Sequence, residues 1–173
     1  VSLLAVCALL TVKTVDHIIL FAALALSAVG DVLIEIAFIF GLLGFLTSHL
    51  VYIVLFWKNR DMGGWRMVRL FVITLIWLIS LGFLLKIYPL AGALGAPVVV
   101  YTIALVSMAS IAILSRYNVY LAGLGGVLFV VSDATLGLRQ FTEMPDWTGH
   151  LVWWTYFGAL FLITIGVRYA DES

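Results

Sequence analysis

Residues 17–57 read HIILFAALALSAVGDVLIEIAFIFGLLGFLTSHLVYIVLFW, and Asp31 and Glu35 are the only acidic or basic residues in the stretch apart from His17 and His49. About 20 apolar residues cross the ~30 Å hydrocarbon core of a bilayer. The run is long enough for two passes, with Glu35 as the polar break between them. It lacks the alternation of a membrane barrel strand. Lipid offers no partner to an unpaired backbone amide or carbonyl, so such runs must be helices. A helical hairpin turning at Glu35 is the expected local structure.

The same pattern extends through the chain. Of 173 residues, 65% are hydrophobic and 10% charged, with a mean hydropathy of +1.22. Soluble domains are about 45–50% apolar and about 25% charged. Too few charges remain to cover a water-exposed surface. A soluble globular domain, a disordered tail and a nucleic-acid binder are therefore excluded as classes. The expected architecture is all-α: a polytopic transmembrane helix bundle forming a single domain over 1–173. Seven spans are expected, at 1–12 (truncated), 17–34, 36–57, 67–86, 97–115, 119–138 and 151–169. The first reads as the end of a helix rather than a signal peptide. A further helix upstream is expected in the complete protein, giving eight. The single cysteine, Cys7, permits no internal disulfide.

With these spans, Lys13, Lys58, Arg60, Arg66, Arg69, Arg116 and Arg168 fall on one side, and Lys86 and Arg139 on the other. Cytoplasmic loops carry the excess of Lys and Arg. This predicts a multi-pass cell-membrane protein with its C-terminus in the cytoplasm. Pro89, Pro97 and Pro145 all lie in loops or at a helix start. That weakens a transporter reading, in which paired helices are broken within the membrane. Trp57, Trp65, Trp147, Trp153 and Trp154 lie near span ends, where aromatic belts form.

Most acids, Asp16 among them, are assigned to loops or tails, and Glu35 to a turn. Asp31 and Asp133 remain inside spans. A carboxylate at mid-bilayer costs roughly 2.5–3.5 kcal/mol on insertion scales. The plain alternative is a neutral acid hydrogen-bonded to a neighbouring helix. However, each Asp lies about 15 residues, or ~22 Å, from the cytoplasmic end of its helix. By the same ruler Tyr101 lies at ~21 Å, Tyr156 at ~20 Å, His49 at ~12 Å and Tyr52 at ~8 Å. Small residues flank both carboxyls, Ser27 and Ala28 near Asp31, Ala122 and Gly126 near Asp133. They would let helices approach and turn the acids inward. His49 reads either as an interhelical hydrogen bonder or, with Asp31 and Asp133, as part of a mixed-ligand metal site. No His-x-x-x-His or Cys-x-x-Cys spacing supports the metal, so no metal or other cofactor is expected. Ser27, Ser48 and Ser132 have no His at a suggestive spacing. Gly123-Leu-Gly125-Gly126 reads as helix packing rather than a phosphate loop.

Gly30-Asp31, His49-Leu-Val-Tyr52, Pro97-Val-Val-Val-Tyr101 and Ser132-Asp133 occur in that order. This ordered set resembles the YhhN-type lysoplasmalogenase family over about residues 20–165. The family's last span has a Tyr-x-x-Ala-Gln pattern, whereas here Tyr156-Phe-Gly-Ala159 is followed by Leu160. The resemblance implies hydrolysis of the vinyl ether bond of lysoplasmalogens, releasing a fatty aldehyde and glycerophosphoethanolamine or glycerophosphocholine. The partner would then be a lysophospholipid or another single-chain lipid.

Vinyl ether hydrolysis needs an acid to protonate carbon and a counter-charge for the oxocarbenium ion that follows. Paired carboxyls serve that logic in glycosidases. Asp31 and Asp133 are the expected catalytic pair, with the roles unassigned. His49, Tyr52, Tyr101, Ser132 and Tyr156 are expected to orient or bind substrate. Two other classes fit the same acids: a non-enzymatic lipid-binding or sensing bundle, and a proton-coupled transporter.

Overall fold

A computed structural model describes residues 1, 5, 14–61 and 65–170. Among them the regular elements are all helical: α1 (Val15–Ile36), α2 (Phe38–Lys58), α3 (Arg66–Ile87), α4 (Gly95–Ile113), α5 (Leu124–Phe141) and α6 (Trp147–Tyr169). A short 3-10 turn, Gly92–Leu94, leads into α4, and a π-helical turn, Val119–Gly123, leads into α5. Six segments are long and apolar enough to cross a membrane. The expected span 1–12 lies outside the described residues apart from positions 1 and 5, and the six segments found among the described residues answer to the other six expected spans. The chain is a multi-pass membrane protein.

Helix starts depart from the hydropathy reading where polar groups close the first turn. Thr14 caps α1 by accepting a hydrogen bond from the His17 amide (3.4 Å), so the helix begins at Val15 and takes in Asp16. Glu35 is helical. The break falls at Ala37, the one extended residue (φ −162°, ψ 142°) between α1 and α2. At the far end α5 runs on to Phe141 and α6 starts at Trp147, shortening the expected 139–150 loop to five residues.

The α1–α2 hairpin is the most extensive helix pair, and small residues form its seam. A Cβ on Gly44 would lie 2.8 Å from Gly30 Cα, and one on Gly30 would lie 2.9 Å from the Phe45 ring. One turn further along, the Ser27 and Ser48 hydroxyls meet at 2.7 Å, and Ser48 donates to the Ala23 carbonyl at 2.9 Å. Helices in lipid gain little from burying apolar surface, so this close approach, with its buried hydrogen bonds, is what holds them. Helices α5 and α6 use the same device at Gly125, where an added Cβ would lie 2.8 Å from Ile163 Cγ1. Helix α3 is attached most loosely. It buries only Ile76, Ser80 and Ile87 and is tied to α4 by the Trp77 indole donating to Ser110 (3.1 Å).

The assignment of Asp16 to a loop is corrected here. Asp16 is buried in the first turn of α1. It accepts from Lys58 Nζ at 2.7 Å, Arg116 Nη2 at 3.3 Å and the Tyr117 hydroxyl at 3.0 Å. Beside it the α2–α3 and α4–α5 connections pair through Arg116 N to Asn59 O (2.7 Å) and Asp61 N to Leu114 O (2.9 Å). Lys58, Arg69 and Arg116, three of the seven cations expected on one side, gather at this end.

Gly44→Ala should lower unfolding stability by about 1–3 kcal/mol, the usual cost of overpacking. Gly82→Ala is the control, because nothing lies within 4 Å of an added Cβ there. Melting curves in detergent read both variants. Equal melting temperatures would remove the seam as a source of stability.

Candidate active site

At the end of the bundle opposite Asp16, a cavity of about 260 Å³ opens between α1, α2, α5 and α6. Asp31 and Asp133 both line it, together with Ser132, Tyr156, Glu35 and Arg139. A narrower crevice of about 60 Å³ adjoins it between α2, α3, α4 and α5. Ile34, Phe45, Asp133 and Leu136 border both spaces. The crevice is otherwise lined by side chains such as Leu42, Phe83 and Leu105, with few polar groups. The two spaces thus adjoin, a chamber bearing charged groups beside an apolar slot, and Asp133 borders both.

Asp133 is the end of a buried relay across three helices. Tyr101 on α4 donates its hydroxyl proton to Asp133 Oδ2 on α5. With that proton committed, the Tyr101 oxygen can only accept from His49 Nε2, 3.0 Å away on α2. The network therefore assigns the proton of His49 to Nε2, which also lies 3.5 Å from Asp133 Oδ2. Nδ1 is buried with no hydrogen-bond partner among the described residues. The imidazole is fixed by rings: its edge meets Phe129 at 4.8 Å, and Tyr101 lies at 5.3 Å.

Tyr156 reaches the chamber from α6 and faces the carboxyl of Asp31. Its hydroxyl is buried against that carboxyl. Phe45 and Phe129 hold its ring edge-on at 5.8 and 5.4 Å. The Ser132 hydroxyl donates to the Val152 carbonyl at 3.2 Å and so joins α5 to α6 beside Asp133. Tyr101 borders the slot rather than the chamber. His49 and Tyr52 border neither. His49 reaches the chamber through Tyr101 and Asp133, and Tyr52 is packed behind Phe129 at 6.5 Å. The mixed-ligand metal alternative is not met, because no three His, Cys, Asp or Glu side chains among the described residues converge to hold an ion.

Hydropathy puts Glu35 in a turn and Arg139 in a loop, yet both charged residues face the space that holds Asp31 and Asp133. Helical spacing carries the signal for the first: Glu35 lies four residues after Asp31 and so on the same face.

A model of the YhhN family matches residues 1–167. The chain belongs to the YhhN family. Two curated relatives, from Mycobacterium bovis and Mycobacterium tuberculosis and both named lysoplasmalogenase, are each 33% identical to it over 160 residues. The match covers 88% of this chain and 61% of each relative, so the chain spans less than two thirds of the relatives' length. No solved structure matches it. In this YhhN chain Leu160 is fully buried in the core and lines neither chamber nor slot.

Tyr101→Phe removes the bridge between two buried polar groups and should cost about 1–3 kcal/mol of stability. Tyr120→Phe, at an exposed ring, should stay within about 0.5 kcal/mol. Thermal or denaturant unfolding in detergent measures both. A Tyr101 variant as stable as the Tyr120 control would mean the relay holds nothing together.

Proposed function

We propose that the chain is an integral-membrane hydrolase that cleaves the vinyl ether bond of lysoplasmalogens, with Asp31 and Asp133 as its working carboxyls. The observation carrying this reading is that both acids, distant in sequence, line one chamber that shares a wall with an apolar slot. A lysoplasmalogen has the matching form: a polar headgroup, a vinyl ether at the junction, and one hydrocarbon chain. The name of the two curated relatives supports the same reaction.

The hydrogen-bond roles divide the labour. Asp133 already accepts from Tyr101, which casts it as the carboxylate that faces a cation. Asp31 is then the acid. As its O–H bond breaks, a C–H bond forms at the outer alkene carbon. Positive charge spreads over the ether oxygen and the carbon bonded to it. Asp133 stabilises that ion in a site largely screened from water, where charges interact strongly. A water molecule adds to the cationic carbon and gives a proton to Asp133, forming a hemiacetal. The hemiacetal hydroxyl returns a proton to Asp31 as the carbon–oxygen bond to glycerol breaks, and the glycerol oxygen takes its proton from Asp133. One water is consumed. A fatty aldehyde and a glycerophospho-alcohol leave, and both acids are restored.

Tyr101 and His49 act as positioning residues for Asp133. Ser132 and Tyr156 shape the wall beside the reacting bond, and Tyr52 supports the ring stack behind it. With the positive-inside rule, this reading takes the Asp16 end of the bundle and the C-terminus as cytoplasmic and the chamber as opening to the outer side.

Asp31→Asn and Asp133→Asn should each lower aldehyde release from lysoplasmenylethanolamine by about 10²–10⁴-fold, the usual contribution of a general acid or base. Melting temperature confirms folding. Near-full turnover in both variants would eliminate the carboxylate mechanism. Tight lipid binding with no aldehyde from the unaltered protein would indicate a binding protein instead.

A further inference from the structure

The chamber is charged in two layers. Asp31 and Asp133 form the inner one. Glu35, one helical turn or about 6 Å further along α1, and Arg139, six residues beyond Asp133 on α5, form the outer one. Both outer residues are exposed, as groups at a mouth must be. The mechanism uses neither.

Arg139 is held in a fixed pose. Its Nη1 donates to Thr148 Oγ1 at 2.6 Å and to the Pro145 carbonyl at 3.2 Å. Thr148 is itself anchored to Pro145 O at 2.6 Å. The guanidinium lies over Gly149, where an added Cβ would sit 3.5 Å from Cζ and Nη2. These bonds occupy Nη1. Among the described residues no hydrogen bond engages Nε or Nη2, the edge of the fork that grips a phosphate through two parallel N–H bonds. Across the mouth, Glu35 supplies a carboxylate and Trp153 an aromatic wall of the same chamber. That combination suits an ammonium group, by charge and by cation–π attraction.

We propose that Arg139 and Glu35, with Trp153, form the headgroup subsite of the chamber. Arg139 takes the phosphate, and Glu35 takes the ammonium of a zwitterionic phospho-amino-alcohol headgroup. This deepens the hydrolase reading and rests on it for the identity of the substrate. The layering accounts for the orientation of the lipid: headgroup at the charged rim, vinyl ether between the two Asp, hydrocarbon chain in the slot beyond Asp133. Three glycerol carbons separate the ether oxygen from the phosphate ester oxygen, and the layers lie ~6 Å apart along α1 and ~9 Å apart along α5.

The test uses the full chain in nanodiscs with three vinyl ether substrates. Lysoplasmenylethanolamine carries phosphate and amine, alkenyl lysophosphatidic acid carries phosphate alone, and 1-alkenylglycerol carries neither. Arg139→Gln should raise KM roughly 10- to 100-fold for the two phosphorylated lipids, the range of a charge-assisted hydrogen bond. The alkenylglycerol KM should move by less than about twofold, and kcat should hold throughout, as for a purely binding interaction. Arg139→Lys should recover part of the loss. Glu35→Gln should raise KM for the ethanolamine lipid alone. Equal losses on all three substrates, or no change on any, would overturn the proposal. If the unaltered protein turns over none of them, the hydrolase reading fails separately. Binding of the non-cleavable alkyl-ether lysophosphatidylethanolamine and of 1-alkylglycerol then decides the subsite. Weakening of the phosphorylated lipid alone by Arg139→Gln supports it, and equal affinities for variant and unaltered protein sink it.

Discussion

The close approach of Gly44 to Gly30 is the contact on which the rest of the molecule depends. Lipid tails are as apolar as leucine, so two helices in a bilayer need backbone proximity to prefer each other over solvent lipid. Glycine at both positions of the contact supplies it, and the Ser27–Ser48 hydroxyl pair continues the seam one turn on. The seam fixes the rotation of α1 and α2 about their axes. It thereby turns Asp31 toward the chamber and His49 toward Tyr101. A wider spacing would part Ser27 from Ser48 and leave buried hydroxyls unpaired, a costly state in a low-dielectric interior.

Two polar constructions divide the bundle. At one end Asp16 gathers Lys58, Arg116 and Tyr117, and so ties the start of α1 to the end of α2 and to the α4–α5 connection. At the other, Asp133 accepts from Tyr101 and ends the relay that links α2, α4 and α5, while Asp31 lines the chamber opposite Tyr156. The contrast is between Asp16, which three donors tie to neighbouring elements away from any cavity, and two acids that border an open space. Loosely packed α3, which forms one side of the slot, lies on the side of the molecule with the fewest such ties.

Much of this organisation was legible in the sequence, because in a membrane the cost of a buried charge is large enough to make each intramembrane acid conspicuous. The spans from residue 17 onward, and Asp31 and Asp133 as the inward acids, followed from hydropathy and helical rise alone. Three features did not follow. Hydropathy assigns Asp16 to a loop because it cannot see that Thr14 caps the helix one residue before it begins. It puts the turn at Glu35 because charge usually ends a span, whereas the backbone turns at Ala37, which carries no polar signal. His49 and Tyr101 were placed ~12 and ~21 Å above the same boundary by counting residues, yet their side chains meet at 3.0 Å. Counting along an axis ignores helix tilt and the reach of two large side chains, and those terms exceed the difference it was asked to measure. Arg139 was absorbed into the count of topology charges, a statistical signal that says nothing of where a single guanidinium points.

The turn at Ala37 carries one more consequence. With a single extended residue joining α1 to α2, the two segments have no slack along the bilayer normal. Helices connected by long loops answer a thicker or thinner membrane by tilting independently or sliding past one another. This pair can only move as one stave. The height of Asp31 relative to His49 is therefore set by covalent geometry and stays constant across membranes of different thickness, while any adjustment to hydrophobic mismatch is left to the less constrained α3.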